Sequence, residues 1–396
     1  MPRSFWLLIV GMTVNVTGAT FVWPLNTIYI HGELGKSLAL AGLVLMFNAG
    51  AAIIGNLIGG SLFDRIGGYQ TILAGILLCV LASGLLTFFH SWLPYLCLLI
   101  LLGFGSGMVR PAMFALGGSV WPEGGRRAFN AIYVSQNLGV ALGAAAGGWI
   151  ASYSFGIVFA ANAVMYGIFF AIAAFGFRRF DTRLEANPTT GILPTDPGGV
   201  RNRSRFTALM ILCAGFFLCW LAYVQWQSTI SAYTQEIGLS LNDYSLLWTV
   251  NGLLIVLGQP LLSMVVKRMK SSKAQMTTGM LIFIAGMLVA ANAESFSGFL
   301  AAMIVTTFGE MLVWPAVPTV ANTLAPKKRS GFYQGMVNST STAGKMAGPV
   351  LGGLVADSFG MHVLFMILVV VFGMAIGSAL LFDRPLKKAQ TAPKAA

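Results

Sequence analysis

Three ionisable residues lie far inside apolar runs of this 396-residue chain: Arg110, Glu310 and Lys345. A charge near the middle of a bilayer costs roughly 2.5–3.5 kcal/mol on insertion scales unless it faces a partner or water, so such residues rarely sit idle. Burial disfavours a charged carboxylate and a neighbouring cation favours it, and a carboxyl held between those influences can trade a proton. Glu310 is therefore the candidate proton carrier, its protonation competing with substrate binding. The same charges also fit a structural pair, Glu310 with Lys345 or with Arg110, because buried charges need partners whatever their function. Two cations to one acid also make a positive centre, which suits an anionic or neutral solute better than a cationic one.

Other chemistries find little support. The histidines (His31, His90, His362) are far apart in sequence, and no paired-acid or His-Glu-x-x-His motif occurs. The four cysteines (Cys79, Cys97, Cys213, Cys219) lie in apolar runs without metal-ligand spacing and read as packing residues. The expectation is no enzyme, no metal and no cofactor, with an ion gradient as the source of energy.

The elements that must position these charges are membrane helices. The chain is 57% apolar and 9% charged, with a mean hydropathy of +0.79, whereas a soluble domain carries about a quarter charged residues. Runs of about 20 apolar residues, long enough to cross about 30 Å of hydrocarbon, recur twelve times. They fall near 5–30, 39–63, 70–89, 93–119, 128–152, 156–177, 206–233, 243–266, 275–293, 297–324, 331–356 and 360–382. Placing both termini in the cytoplasm puts 21 of the 24 Lys and Arg on the inner side, as the positive-inside rule requires. The net charge of +12 then belongs against anionic lipid head groups rather than nucleic acid.

A Pro-, Gly- and charge-rich stretch at 178–205 separates six runs from six. The resulting domains are 1–177, the linker 178–205, 206–384, and a tail at 385–396. The halves repeat one another. Gly139, Gly143, Gly147 and Gly148 have the spacing of Gly344, Gly348, Gly352 and Gly353, and each set runs on into Ser-Phe-Gly. Glycines four apart share a helix face and let two backbones approach closely in a bilayer. Val109-Arg110-Pro111-Ala112 likewise matches Val313-Trp314-Pro315-Ala316, and Trp23 matches Trp226. A two-half repeat in a membrane protein points to a transporter that alternates access around a central site.

Gly60-Ser-Leu-Phe-Asp64-Arg65-Ile-Gly67 falls in the turn between the second and third runs. Here the chain resembles the major facilitator superfamily, whose loop signature is Gly-x-x-x-Asp-Arg/Lys-x-Gly. The resemblance spans the whole chain and implies an all-α fold of twelve transmembrane helices in two pseudo-symmetric six-helix bundles. It also implies a switch loop in which Asp64 accepts hydrogen bonds from the start of the eleventh helix and Arg65 pairs nearby. Tyr69 and Gln70 depart from the basic residues the family usually places there. The glycine run of the fifth helix is similar to the family's antiporter signature, except that Ala144 replaces the proline, which appears instead as Pro349 in the second half.

In that family helices 1, 4, 7 and 10 line a central cavity. The resemblance therefore gathers Arg110, Glu310, Trp23, Asn26, Gln225, Trp226, Gln227 and Trp314 around it, with Lys345 in reach. Aromatic residues with a few amides accept varied apolar molecules, while Trp23 and Trp226 equally suit an interfacial belt. Gln136 and Asn137 either line the cavity or bridge helices. The expected protein is a proton-coupled exporter of amphipathic small molecules, a multidrug-type antiporter of the cell membrane working as a monomer. The alternative is a carrier of the same fold for an anionic or neutral metabolite or lipid.

Overall fold

The computed structural model describes residues 1–22, 25–89, 91–151, 153–178, 202–269 and 271–391. They are almost wholly helical, as bilayer physics demands: with no water to satisfy the peptide groups, each span must pair them internally. The long helices are α1 Arg3–Val22, α2 Leu38–Ile66, α3 Gly68–Phe88, α4 Trp92–Val120, α5 Arg126–Ala151 and α6 Phe155–Ile172. They continue with α7 Asn202–Tyr223, α8 Leu241–Leu257, α9 Ser272–Ala291, α10 Phe296–Leu324, α11 Ser330–Phe359 and α12 Met361–Leu381, and a short α13 follows at Arg384–Thr391.

Local chemistry sets the boundaries. The Ser37 hydroxyl accepts the Leu40 N–H to cap α2, and Ser271 does the same for α9 through Ala274 N–H. Ser240 and Asp243 form a reciprocal capping box on α8. Gly67, at φ 92°, makes the sharp turn from α2 into α3, in a region that L side chains rarely adopt.

Among the described residues nine helices are long and apolar enough to cross a membrane, or ten if one bent pair counts as a single span. That pair is α8 and its continuation Gln259–Arg268, bent by 59°. The run expected to be unbroken over 243–266 breaks at Gly258 because Pro260 lacks an N–H and its ring cannot fit a straight helix. Helices α5 and α11 are long, at 26 and 30 residues, but rich in Gly, Ser, Asn and Gln, and lie outside that set. The first run is helical over Arg3–Val22, then over Asn26–Ile28 and a π-helical turn at Tyr29–Glu33. Helix α7 starts at Asn202, inside the stretch expected to be linker.

The chain divides into two compact units, one of Met1–Gly191 with Lys327–Ser339, the other of Ile192–Pro326 with Thr340–Ala396. In the first, α4 packs on α2 and α3, α1 on α5 and α6, and α3 on α6. In the second, α10 packs on α8 and α9, and α12 packs on α7 and α9. Glycine makes the tightest approaches. A Cβ on Gly75 would meet Val109 Cγ2 at 2.8 Å and the Gly105 carbonyl at 3.0 Å; one on Gly279 would meet Val313 Cγ2 at 2.6 Å and the Gly309 carbonyl at 2.9 Å. The α1–α5 contact recurs between α7 and α11: a Cβ on Gly139 would meet Thr13 O, and one on Gly344 would meet Phe217 O, each at 2.8 Å.

Candidate functional site

Glu310 lies on α10 and is 5% exposed. Its Oε2 accepts the Tyr223 hydroxyl of α7 at 2.7 Å and the Asn251 Nδ2 of α8 at 2.9 Å. The same Asn251 amide donates to Thr307 Oγ1 at 2.9 Å, and that hydroxyl in turn donates a hydrogen bond to Met303 O at 2.7 Å. Thr307 sits one turn before Glu310 on the same face of α10, so one amide bridges both. Two donors on one carboxylate oxygen make a strongly oriented acceptor.

Beside this carboxyl stands an aromatic cluster. Trp220 of α7 and Trp314 of α10 stack face to face, with centroids 4.2 Å apart and 5° between planes. Tyr223 meets Trp314 edge-on at 5.2 Å, Phe216 at 5.7 Å, and Phe283 leans on it at 5.5 Å. The Lys345 ammonium of α11 lies 3.8 Å from the Trp220 ring centroid, well inside the range of about 6 Å for a cation–π contact. Among the described residues the buried indole N–H groups of Trp220 and Trp314 have no hydrogen-bond partner. Every residue of this cluster belongs to the second unit.

The structure thus brings Glu310, Trp314 and Lys345 together within the second unit, and each of the other candidates has its own surroundings. Gln225 is fully buried in the turn Val224–Gln227 that follows α7 and ties it to α11: its Nε2 donates to Gly348 O at 2.7 Å and its Oε1 accepts the Thr229 hydroxyl at 2.8 Å. Trp226 is fully buried and its carbonyl accepts the Tyr244 hydroxyl at 2.7 Å, while Gln227 is exposed. Trp23 lies outside the described residues. Arg110, on α4 of the first unit, is exposed although Met108, Val109, Ala112 and Met113 around it are buried. Asn26 is buried and accepts the Tyr95 hydroxyl at 2.7 Å. Asn137 Nδ2 donates to Tyr133 O at 2.9 Å within its own helix, and Gln136 Nε2 points at Met12 Sδ, 4.0 Å away.

Asp64 ends α2 with its two carboxylate oxygens on the Gly331 and Phe332 N–H groups, each at 2.8 Å. Those are first-turn amides of α11, where unpaired donors and the helix dipole favour an anion. The chains can come this close because Gly60 faces the backbone of Gly331 with no side chain on either. Arg65 is exposed.

Trp220, Tyr223, Asn251 and Thr307 were not singled out from sequence. The signal for Asn251 was available: it repeats Asn48 at the interval that relates the two halves.

A family model described as Major Facilitator Superfamily matches residues 8–231 and 227–396. The Bacillus subtilis protein described as uncharacterized MFS-type transporter YttB is 55% identical over 397 residues, covering 100% of this chain and 99% of its own length. The Shigella dysenteriae multidrug resistance protein MdtH is 23% identical over 357 residues, covering 89% of this chain and 86% of its own. Among solved structures, the human organic anion transporter MFSD10 (TETRAN) aligns with a TM-score of 0.75 at 14% identity, covering 96% of this chain and 100% of that one.

Proposed function

The chain belongs to the Major Facilitator Superfamily, and on that premise we propose that it is a proton-coupled secondary transporter exporting amphipathic small molecules by alternating access. The observation that carries this reading is the buried Glu310 carboxyl, oriented by Tyr223 and Asn251 beside the Trp220–Trp314 stack. A carboxyl held by two donors at the edge of an aromatic platform combines a proton-exchanging group with an apolar docking face. Protonation removes the charge and weakens the charge-assisted bonds from Tyr223 and Asn251. Proton and substrate then compete for one local arrangement. The similarity to MdtH, a multidrug resistance protein, supports export.

In this reading twelve helices form two pseudo-symmetric six-helix bundles that rock about the substrate. The protein works as a monomer in the cell membrane, with both termini cytoplasmic, anionic lipids at its basic inner loops, and the proton gradient in place of a cofactor. Asp64 on the α11 amides latches one conformation, and the glycines of α5 and α11 carry the close helix contacts.

A second reading is an anionic or neutral metabolite carrier of the same fold. Lys345 at the aromatic cluster favours it.

The test is transport in proteoliposomes under an imposed pH gradient, comparing wild type with Glu310→Gln on a lipophilic cation, an organic anion and a neutral amphiphile. Gradient-driven movement lost in the variant supports the proposal. Movement that persists in Glu310→Gln removes Glu310 as proton carrier.

A further inference from the structure

We propose that Arg110 anchors an anion-binding site within the first unit, where its guanidinium takes the carboxylate of an amphipathic solute. The side chain is exposed, yet it does not look out at lipid. Gly103, Gly107, Met113, Phe114 and Gly117 share its face of α4 and are buried, and Ser106 is half-buried. A lipid-facing stripe would leave them all open, so the opening at Arg110 is local. It is also deep. Val120 ends α4 about 15 Å further on at 1.5 Å per residue, about half of the hydrocarbon thickness. The anion that reaches this level is a solute, not a lipid head group held at the surface.

The repeat explains the opening. A Cβ on Gly105 would meet Cys79 Sγ and one on Gly309 would meet Phe283 Cδ1, each at 2.9 Å. That match puts Arg110 where the second half has Trp314. Phe216, Trp220, Tyr223 and Phe283 set their rings against Trp314. The repeating positions in the first half are Met12, Val16, Ala19 and Cys79. Four rings give way to smaller side chains; Trp314 is only 6% exposed, whereas Arg110 is left accessible.

The charge around Arg110 is unbalanced. Among the described residues it makes no hydrogen bond and no ion pair, and its one electrostatic neighbour is the phenol of Tyr166 on α6. The described acids of the first unit stand elsewhere: Asp64 on the α11 amides, Glu33 in the turn before α2, and Glu123 in the turn after α4. Glu310 accepts Tyr223 and Asn251 in the second unit, and no described carboxylate, Glu310 included, pairs with Arg110. A cation at this depth is costly without a counter-charge or water. Arginine stays charged and presents a planar fork of donors that fits a carboxylate at two points. A bound carboxylate supplies the missing charge and both acceptors together.

The test is equilibrium dialysis of phenylbutyrate and its neutral amide, phenylbutyramide, against the full chain in phosphatidylcholine nanodiscs, with empty nanodiscs subtracted. Wild type is expected to prefer the carboxylate by at least about tenfold, equivalent to about 1.4 kcal/mol. Arg110→Gln is expected to lower carboxylate binding to the level of the amide and to leave amide binding unchanged, which a misfolded variant could not do. Arg110→Lys should keep a smaller preference, because the charge remains and the fork is lost. A wild type without the preference, no carboxylate binding above empty nanodiscs, or a preference retained in Arg110→Gln overturns the proposal. No gradient enters the measurement, so its outcome is separate from that of Glu310 as proton carrier.

Discussion

The two halves of this chain share a skeleton and differ in chemistry. Gly75, Gly105 and Val109 meet as Gly279, Gly309 and Val313 do, at distances that differ by 0.2 Å or less for matching atoms of the Gly75 and Gly279 contacts. On that common frame the first half carries Val16, Ala19, Ser106, Arg110 and Val140 where the second carries Trp220, Tyr223, Glu310, Trp314 and Lys345. Close helix packing was kept in both copies because a bilayer offers no hydrophobic drive between helices and leaves shape to hold them. At these matching positions the stacked indoles, the tyrosine and the carboxyl stand in the second copy only. A single buried carboxyl needs one set of donors, and a second set without its own carboxyl would be left unpaired at a cost.

The largest expected effect separates the halves outright. Glu310→Gln should reduce gradient-driven transport to the leak of empty proteoliposomes, whereas Ser106→Ala, at the repeating position, should leave it near wild type. Equal loss from both would mean that the chemistry is shared after all. Tyr223→Phe removes one of two donors from Oε2 and should fall between them, with the pH dependence displaced because the charged form loses a hydrogen bond.

The frame should respond symmetrically. Gly75→Val and Gly279→Val each force a branched side chain against a facing valine and a glycine carbonyl. Overpacking of this kind costs about 1–3 kcal/mol. Both variants should lower the melting temperature in detergent by similar amounts. A strong effect from one alone would show that only that half relies on the contact.

The frame was legible in sequence for the same reason that it repeats. Glycines four apart and the Val-x-Pro-Ala segment mark helix faces by spacing alone, and a charge such as Glu310 in an apolar run announces itself. The surroundings of Glu310 were not legible. Trp220 and Tyr223 sit among Phe216, Phe217 and Trp226, where apolar residues go all round the helix and no period identifies the inward face. The resemblance gathered Gln225 at the cavity, and its amide reaches from the turn after α7 to the Gly348 carbonyl. In a membrane interior an amide is as useful for joining helices as for binding a solute.

Asn48 and Asn251 sharpen the comparison, because the residue is retained and its task has changed. Asn48 Nδ2 donates to the Leu99 carbonyl at 2.6 Å, a helix-to-helix tie, while Asn251 serves Thr307 and Glu310. Asn48→Ala should cost stability, about 0.5–1.5 kcal/mol for the lost bond, with transport per folded molecule unchanged. Asn251→Ala should impair transport and shift its pH profile while destabilising the protein no more than Asn48→Ala. Identical profiles for the two variants would place Asn251 in the frame.

The smallest effect lies at the end of the second half, where no first-half counterpart to α13 exists among the described residues. Asp383 accepts Lys273 Nζ at 2.7 Å and pairs with Lys387 at 3.1 Å, one turn along. The two partners are not equivalent. The Lys387 side chain is 71% exposed, against 27% for Lys273, which also donates to the Leu380 carbonyl at 2.6 Å. An exposed i,i+4 pair is worth about 0.3–0.5 kcal/mol and is screened by salt. Lys387→Ala should therefore move the melting temperature barely, and not at all in high salt. Lys273→Ala removes the half-buried partner that joins α9 to the end of α12, and should be the more damaging of the two at any ionic strength. If the two variants match, α13 is held by Leu386, which is 9% exposed, rather than by charge.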